Sequence, residues 1–159
     1  MTLSIRPATP ADASLVFSFI RELAAYEKMT DDVVTNEAEI ASALFGPNPR
    51  VFADIAEWQG RPAGFALWFY NFSTFRGRHG IYLEDLFVRP EFRGHGLGKA
   101  LLVNLARRCV AEGCARLEWS VLDWNKPSIE FYERLGARHT RGWLPYRLTG
   151  AALEELAES

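Results

Sequence analysis

Gly94, Gly96 and Gly98 alternate with His95 and Leu97 in the stretch Arg93-Gly94-His95-Gly96-Leu97-Gly98-Lys99. A strand-like apolar pattern over 80–88 runs up to this loop. Leu101, Leu102, Leu105 and Cys109 follow it at helical spacing. Strand, glycine loop and helix in that order are the building unit of an α/β fold. Glycines leave backbone amides bare. Bare amides at the positive end of a helix make a cradle for a phosphate or pyrophosphate. Two familiar phosphate loops do not fit. GxxxxGK[ST] fails because Ala100 follows Lys99 and no glycine stands five before Gly98; GxGxxG fails because the spacing is GxGxG. Taken alone, the glycines suit a structural turn as well as a cradle.

The remaining pattern gives the order β-α-α-β-β-β-α-β-α-β-α, an α/β domain with a mixed sheet. A strand over 3–6 precedes a helix opened by Thr9, Pro10 and Asp12, with Leu15, Phe19, Leu23 and Tyr26 on one face. Residues 28–32 read as a loop and 35–45 as a second helix, stopped by Gly46-Pro47. Strands are expected over 51–55 and 65–70, around a Gln59-Gly60 turn, and over 80–88. The helix after the glycine loop ends at Gly113. A strand over 115–121 and a helix from Asn125 to Gly136 follow, then a short strand over 146–148 and a helix over 151–157 capped by Thr149.

The chain has 159 residues, enough for one domain, 1–159, with a sizeable core. Its 18 basic and 20 acidic residues lack the basic surplus of a nucleic-acid binder. The cluster Arg76, Arg78, Arg89, Arg93 and Lys99 suits a small phosphorylated ligand instead. No apolar run approaches the roughly 20 residues of a membrane span. The opening Met1 to Pro7 carries no signal-peptide block or myristoylation glycine. Cys109 and Cys114 match neither a zinc nor a CxxC spacing, and are expected as reduced core thiols in a cytoplasmic protein. The three histidines pair with no ligand at metal spacing, so no metal is expected.

Residues 86–102, Leu-Phe-Val-Arg-Pro-Glu-Phe-Arg-Gly-His-Gly-Leu-Gly-Lys-Ala-Leu-Leu, resemble the central motif of the GCN5-related N-acetyltransferases, [RQ]xxGx[GA], met by Arg93, Gly96 and Gly98. Residues 125–137, Asn-Lys-Pro-Ser-Ile-Glu-Phe-Tyr-Glu-Arg-Leu-Gly-Ala, resemble the family's second signature. Ile5-Arg6-Pro7-Ala8, residues 22–27, residues 82–88 and Trp124-Asn125 are similar to its diamine branch, which includes spermidine/spermine and thialysine acetyltransferases. The resemblance implies a mostly antiparallel central sheet flanked by helices. It also implies acetyl-CoA as donor, a small-molecule amine as acceptor, and a homodimer.

Acetyl transfer from a thioester makes four demands. By resemblance, Arg93, Gly94, His95, Gly96, Leu97, Gly98 and Lys99 hold the pyrophosphate. The resemblance also implies that backbone N–H groups of Leu86, Phe87 and Val88 stabilise the oxyanion, preorganised donors of the kind such charge needs. The ammonium must lose a proton. Glu84 and Asp85 sit mid-strand, where acids are depleted, and alternation sends them to opposite faces. By resemblance Glu84 faces the acceptor as base, directly or through water, while Asp85 reads as a structural hydrogen-bond acceptor. The departing thiolate needs a proton, and Tyr132 matches the family's tyrosine acid, a phenol with an ordinary pKa of about 10. Asn125, with Pro127 and Ser128, caps the second motif's helix and by resemblance touches the cofactor.

Tyr26 and Glu27, with Asp31 and Asp32 nearby, match the branch's site for a cationic amine. Trp68, Tyr70 and Tyr82 either wall that site or simply pack. One segment departs from polyamine-type relatives, which carry acids after Leu-Gly-Ala. Here Arg138-His139-Thr140-Arg141-Gly142-Trp143-Leu144-Pro145 is basic and has no acid. A long polycation is disfavoured beside it, whereas an acceptor that also bears a carboxylate, such as a lysine-like or thialysine-like amino acid, is favoured. Two alternatives stay open: a protein or peptide N-acetyltransferase, and an acyl-CoA-binding sensor without chemistry.

Overall fold

The computed structural model describes residues 2–159. Met1, where the reading of leader and acylation signals begins, lies outside them. The packing divides the chain into two compact units, one ending at Leu122 and the other Asp123–Ser159.

The first unit holds strands β1 (Leu3–Pro7), β2 (Phe52–Trp58), β3 (Arg61–Ser73), β4 (Arg78–Val88) and β5 (Leu117–Trp119). Its helices are α1 (Ala13–Tyr26), α2 (Glu37–Phe45) and α3 (Leu97–Glu112). The strands form one sheet in chain order. The first four pair antiparallel and β5 lies parallel to β4, so the sheet is mixed and mostly antiparallel. The β2–β3 connection is a two-residue turn. Gln59 and Gly60 both have positive φ, 51° and 76°, the conformation that matches strand twist in a tight hairpin.

Period-two alternation gives the sheet two apolar faces. Ile55, Phe65, Leu67 and Phe87 meet Val16, Phe19 and Leu23 of α1. Phe19 and Phe65 stack with centroids 5.2 Å apart. Burying each such ring contributes about 1.5–3 kcal/mol. On the other face α3 buries Leu97, Leu101 and Leu105. Its last turn closes at Gly113, whose φ of 71° returns the chain toward β5. A bidentate ion pair ties β1 to the start of α1: Arg6 Nη1 and Nη2 donate to Asp12 at 2.7 and 3.0 Å.

The second unit holds α4 (Lys126–Arg134) and α5 (Gly150–Ala157). The Asn125 side chain caps α4 by accepting from the Ser128 N–H at 3.3 Å, and Gly136, with φ of 94°, ends the turn beyond it. The short strand expected over 146–148 is not formed; those residues pair with no strand among the described residues. Three residues do not make a strand without an edge to bond to. Cys114 is half-buried rather than core, whereas Cys109 is buried and both thiols are free.

Candidate active site

The site begins at an irregularity in β4. Asp85 lies opposite Leu67 and Leu83 opposite Trp68, so Glu84 is an extra residue with no partner of its own. Such a bulge breaks alternation. Tyr82 lies beside Phe69, on the Leu67 side of the sheet, with ring centroids 5.2 Å apart. Glu84 is two residues beyond Tyr82, and Asp85 is two before Phe87, which also faces α1. Both carboxylates therefore point to the α1 face. The expectation of opposite faces fails here, because period two does not survive an inserted residue.

The electrostatics agree with that geometry. Burial pushes the Asp85 carboxyl up to about 7, and the charges of Glu84 and Glu27 push the same way. Glu27, at the C-terminal end of α1, is itself raised by burial. Tyr26 lies beside it, and the Arg93 guanidinium sits 5.0 Å from the Tyr26 ring centroid and 5.7 Å from that of Phe87. Glu27, Glu84 and Asp85 thus form one negative region next to aromatic rings, suited to an ammonium that can give up a proton.

β5 pairs with β4 only from Ile81 to Leu83, and β4 runs five residues further. Tyr82 and Ser120 join their hydroxyls at 2.8 Å near the parting of the two strands. The Arg89 N–H donates to the Ala63 carbonyl, toward β3. In an antiparallel pair, successive residues turn their amides to opposite edges. Val88 and Leu86 consequently turn theirs to the edge that β5 has left, while the Phe87 amide belongs to the β3 ladder. Two of the three expected donors face the open edge. Arg93 Nε donates to the Val88 carbonyl at 2.9 Å, which holds the guanidinium at the end of β4.

Beyond β4 the chain makes one tight turn, Pro90–Phe92, and enters the glycine loop. Gly94 and Gly96 have φ of 85° and 81°, and nothing lies within 4 Å of where a Cβ would stand. Glycine is needed there for backbone conformation, not for space. Gly96 caps α3, so the loop amides and the first amides of α3, from Leu97 to Lys99, gather at a positive helix end. His95 and Lys99 are exposed beside them.

In the second unit, Tyr132 lies in α4 with its ring 5.4 Å from that of Phe131, and its carbonyl accepts from Leu135 and Ala137. Pro127 and Ser128 form the first turn after the Asn125 cap. Of the aromatics considered for the acceptor site, Trp68 packs. Its indole donates to buried Asp54 at 2.9 Å, and Arg108 of α3 covers its ring at 5.0 Å. Tyr70 donates to Glu112 of α3. Only Tyr82 shares a face with Glu84. Asp31 and Asp32 are exposed in a short turn after α1. Asp85, read from the sequence as a structural hydrogen-bond acceptor, lies in the acidic group with Glu84 and Glu27. Among the described residues no three His, Cys, Asp or Glu are grouped for a metal ion, and no helix is long and apolar enough to cross a membrane.

Residues 17–137 match the family model described as Acetyltransferase (GNAT) family. The chain is 38% identical to a thialysine N-epsilon-acetyltransferase of Sus scrofa, over 96% of each chain. It is 32% identical to an L-ornithine N5-acetyltransferase of Arabidopsis thaliana, over 96% of this chain and 86% of that one. Among solved structures it is similar to an integron cassette protein from the mobile metagenome of V. cholerae, with a TM-score of 0.83 and 30% identity, covering 100% of this chain and 99% of the other.

Proposed function

The chain belongs to the acetyltransferase (GNAT) family, and on that premise we propose which amine it acetylates and which residues do so. It is an acetyl-CoA-dependent N-acetyltransferase acting on the primary amine of a small molecule. The finer proposal is an acceptor that is an amino acid with an amine at the end of its side chain. The observation that carries it is the Glu27, Glu84 and Asp85 group beside Tyr26, a place for one ammonium. Two relatives support it, being named for thialysine and ornithine.

In the proposed reaction the amides from Gly94 to Lys99 hold the pyrophosphate. Leu86 and Val88 donate to the thioester oxygen as it becomes an oxyanion. The ammonium gives its proton to the Glu84 and Asp85 pair, and the free amine attacks the carbonyl carbon. The C–N bond forms, the C–S bond breaks, Tyr132 protonates the departing thiolate, and the second proton leaving the nitrogen passes to solvent, from which the Tyr132 phenol is restored. Asn125, Pro127 and Ser128 orient α4 and contact the donor. The working unit is one domain over 1–159, supported by a family match that runs across Leu122. A cytoplasmic homodimer completes the proposal. The homodimer is supported by the family resemblance alone, and the compartment by two free thiols.

The test is CoA release from acetyl-CoA with thialysine, lysine, ornithine, putrescine, spermidine, spermine, an aminoglycoside and a lysine peptide. Turnover with the amino acids and little with spermine is expected. Preferred turnover of spermine or of the peptide overturns the acceptor assignment. Acetyl-CoA binding with no turnover of any amine overturns the enzyme assignment in favour of a sensor.

A further inference from the structure

The glycine loop is gripped by a hairpin that no functional residue occupies. Trp58 ends β2 and Arg61 begins β3; they are cross-strand partners on either side of the Gln59-Gly60 turn. Each reaches a different part of the loop. The Trp58 indole stacks on the His95 imidazole, with centroids 4.4 Å apart and planes within 17°. The Arg61 guanidinium covers the ring of buried Phe92 at 4.9 Å. Phe92 enters the loop, and His95 stands between the two left-handed glycines.

A segment with glycine on both sides of one residue has a large conformational freedom to lose. Its amides bind an anion well only if they are already aimed. Arg93 is engaged at Val88 at one end of the loop and Leu97 is buried at the other, and between them, in Gly94-His95-Gly96, His95 alone carries a side chain. His95 is therefore the anchor of the middle of the loop, and its partner lies outside the motif, on β2.

We propose that Trp58 is a positioning residue for the donor site, holding the pyrophosphate-binding loop in its receptive shape by stacking on His95, with Arg61 on Phe92 as the second point of the same grip. The inference rests on the assignment of the loop to acetyl-CoA. It deepens that assignment by placing a determinant of donor affinity on a turn that touches neither the reacting atoms nor the acceptor region at Glu84.

The experiment is calorimetric titration of acetyl-CoA, with steady-state kinetics, on the full chain and on Trp58→Ala, Trp58→Phe, His95→Ala and the Trp58→Ala/His95→Ala double variant. Thermal unfolding checks that each is folded. Trp58→Ala should raise the acetyl-CoA Kd and KM about three- to tenfold, the range that coupling between two aromatic rings implies. The kcat at saturating donor and the amine KM should stay within about twofold. Trp58→Phe keeps a ring and should recover most of the affinity. His95→Ala alters an exposed loop side chain and should raise Kd similarly, and the double variant should be no worse than the poorer single one. An unchanged donor Kd in Trp58→Ala or His95→Ala overturns the proposal. So do additive effects in the double variant, or equal losses in donor KM, amine KM and kcat. If the unsubstituted chain does not bind acetyl-CoA, the assignment of function falls and this inference with it.

Discussion

Asp85 stands on the same face of the sheet as Glu84, its immediate neighbour in sequence, because the bulge opposite Leu67 inserts one residue into β4. Burial pushes the Asp85 carboxyl up to about 7, and the neighbouring carboxylates of Glu84 and Glu27 add to the effect. Asp85 loses its proton as pH rises through that value, and in the proposed reaction the pair then becomes a competent base. The kcat/KM for the amine should therefore rise with pH through about 7. Asp85→Asn should remove that limb and lower kcat/KM at pH 8 by about 10- to 100-fold. A limb that persists at the same pH in Asp85→Asn would assign it to another group.

The same residue makes stability depend on pH in a definite direction. The folded carboxyl at about 7 lies above the unfolded value of 3.8, so the folded state binds the extra proton between them. That contribution is fully present below about 4 and is lost as pH rises to about 7. Asp85→Asn, which carries no charge at any pH, should gain stability relative to the unsubstituted chain between pH 5 and 8. Urea unfolding across that range should show the gap widening with pH; a constant gap contradicts it.

The Arg6–Asp12 pair has the opposite sign. The Arg6 hydrogen bonds hold Asp12 down at about 2. Its contribution is present above about 4 and is lost as pH falls toward 2. Asp12→Asn should cost about 1–2 kcal/mol at pH 7, discounted because Arg6 is part-exposed. The cost should shrink in acid, read as the difference between urea midpoints at pH 7 and pH 3.

Gly64 and Gly96 are glycines for different reasons, and alanine at each should fail differently. A Cβ at Gly64 would meet the Phe87 carbonyl oxygen at 2.5 Å, pressing β3 away from the part of β4 that carries the Leu86 and Val88 donors. Gly64→Ala should destabilise by about 1–3 kcal/mol and lower kcat. Gly96→Ala meets no atom but must hold a φ of 81°, at about 1–2 kcal/mol. Its loss should appear mainly as weaker acetyl-CoA binding. Denaturant midpoints and donor Kd values separate the two.

Tyr132→Phe removes one hydroxyl from α4. It should lower kcat by about 100-fold or more while the acetyl-CoA Kd stays within about twofold, as expected for an acid that acts only on the leaving thiolate. Unsubstituted turnover in this variant would take Tyr132 out of the mechanism.

Much of this protein is local. The left-handed glycines at 94, 96 and 113, the Asn125 cap, the Gln59-Gly60 turn and the apolar stripes of α1 and α3 depend on residues a few positions apart, so the pattern of the chain determines them. The glycine loop and the α4 signature were legible for the same reason. The strand expected over 146–148 was not, because a strand is a relation between two segments and its partner is absent from the described pairing. The shared face of Glu84 and Asp85 was hidden too. It depends on how β4 registers against Leu67 and Trp68, and a shift of one residue reverses every side chain beyond it. The Trp58–His95 stack joins residues 37 positions apart through a turn and two sheet pairings. Sequence determines which groups are available for chemistry. Only tertiary structure decides which of them share a field, because charge and ring contacts fall off over a few ångströms of space whatever their distance along the chain.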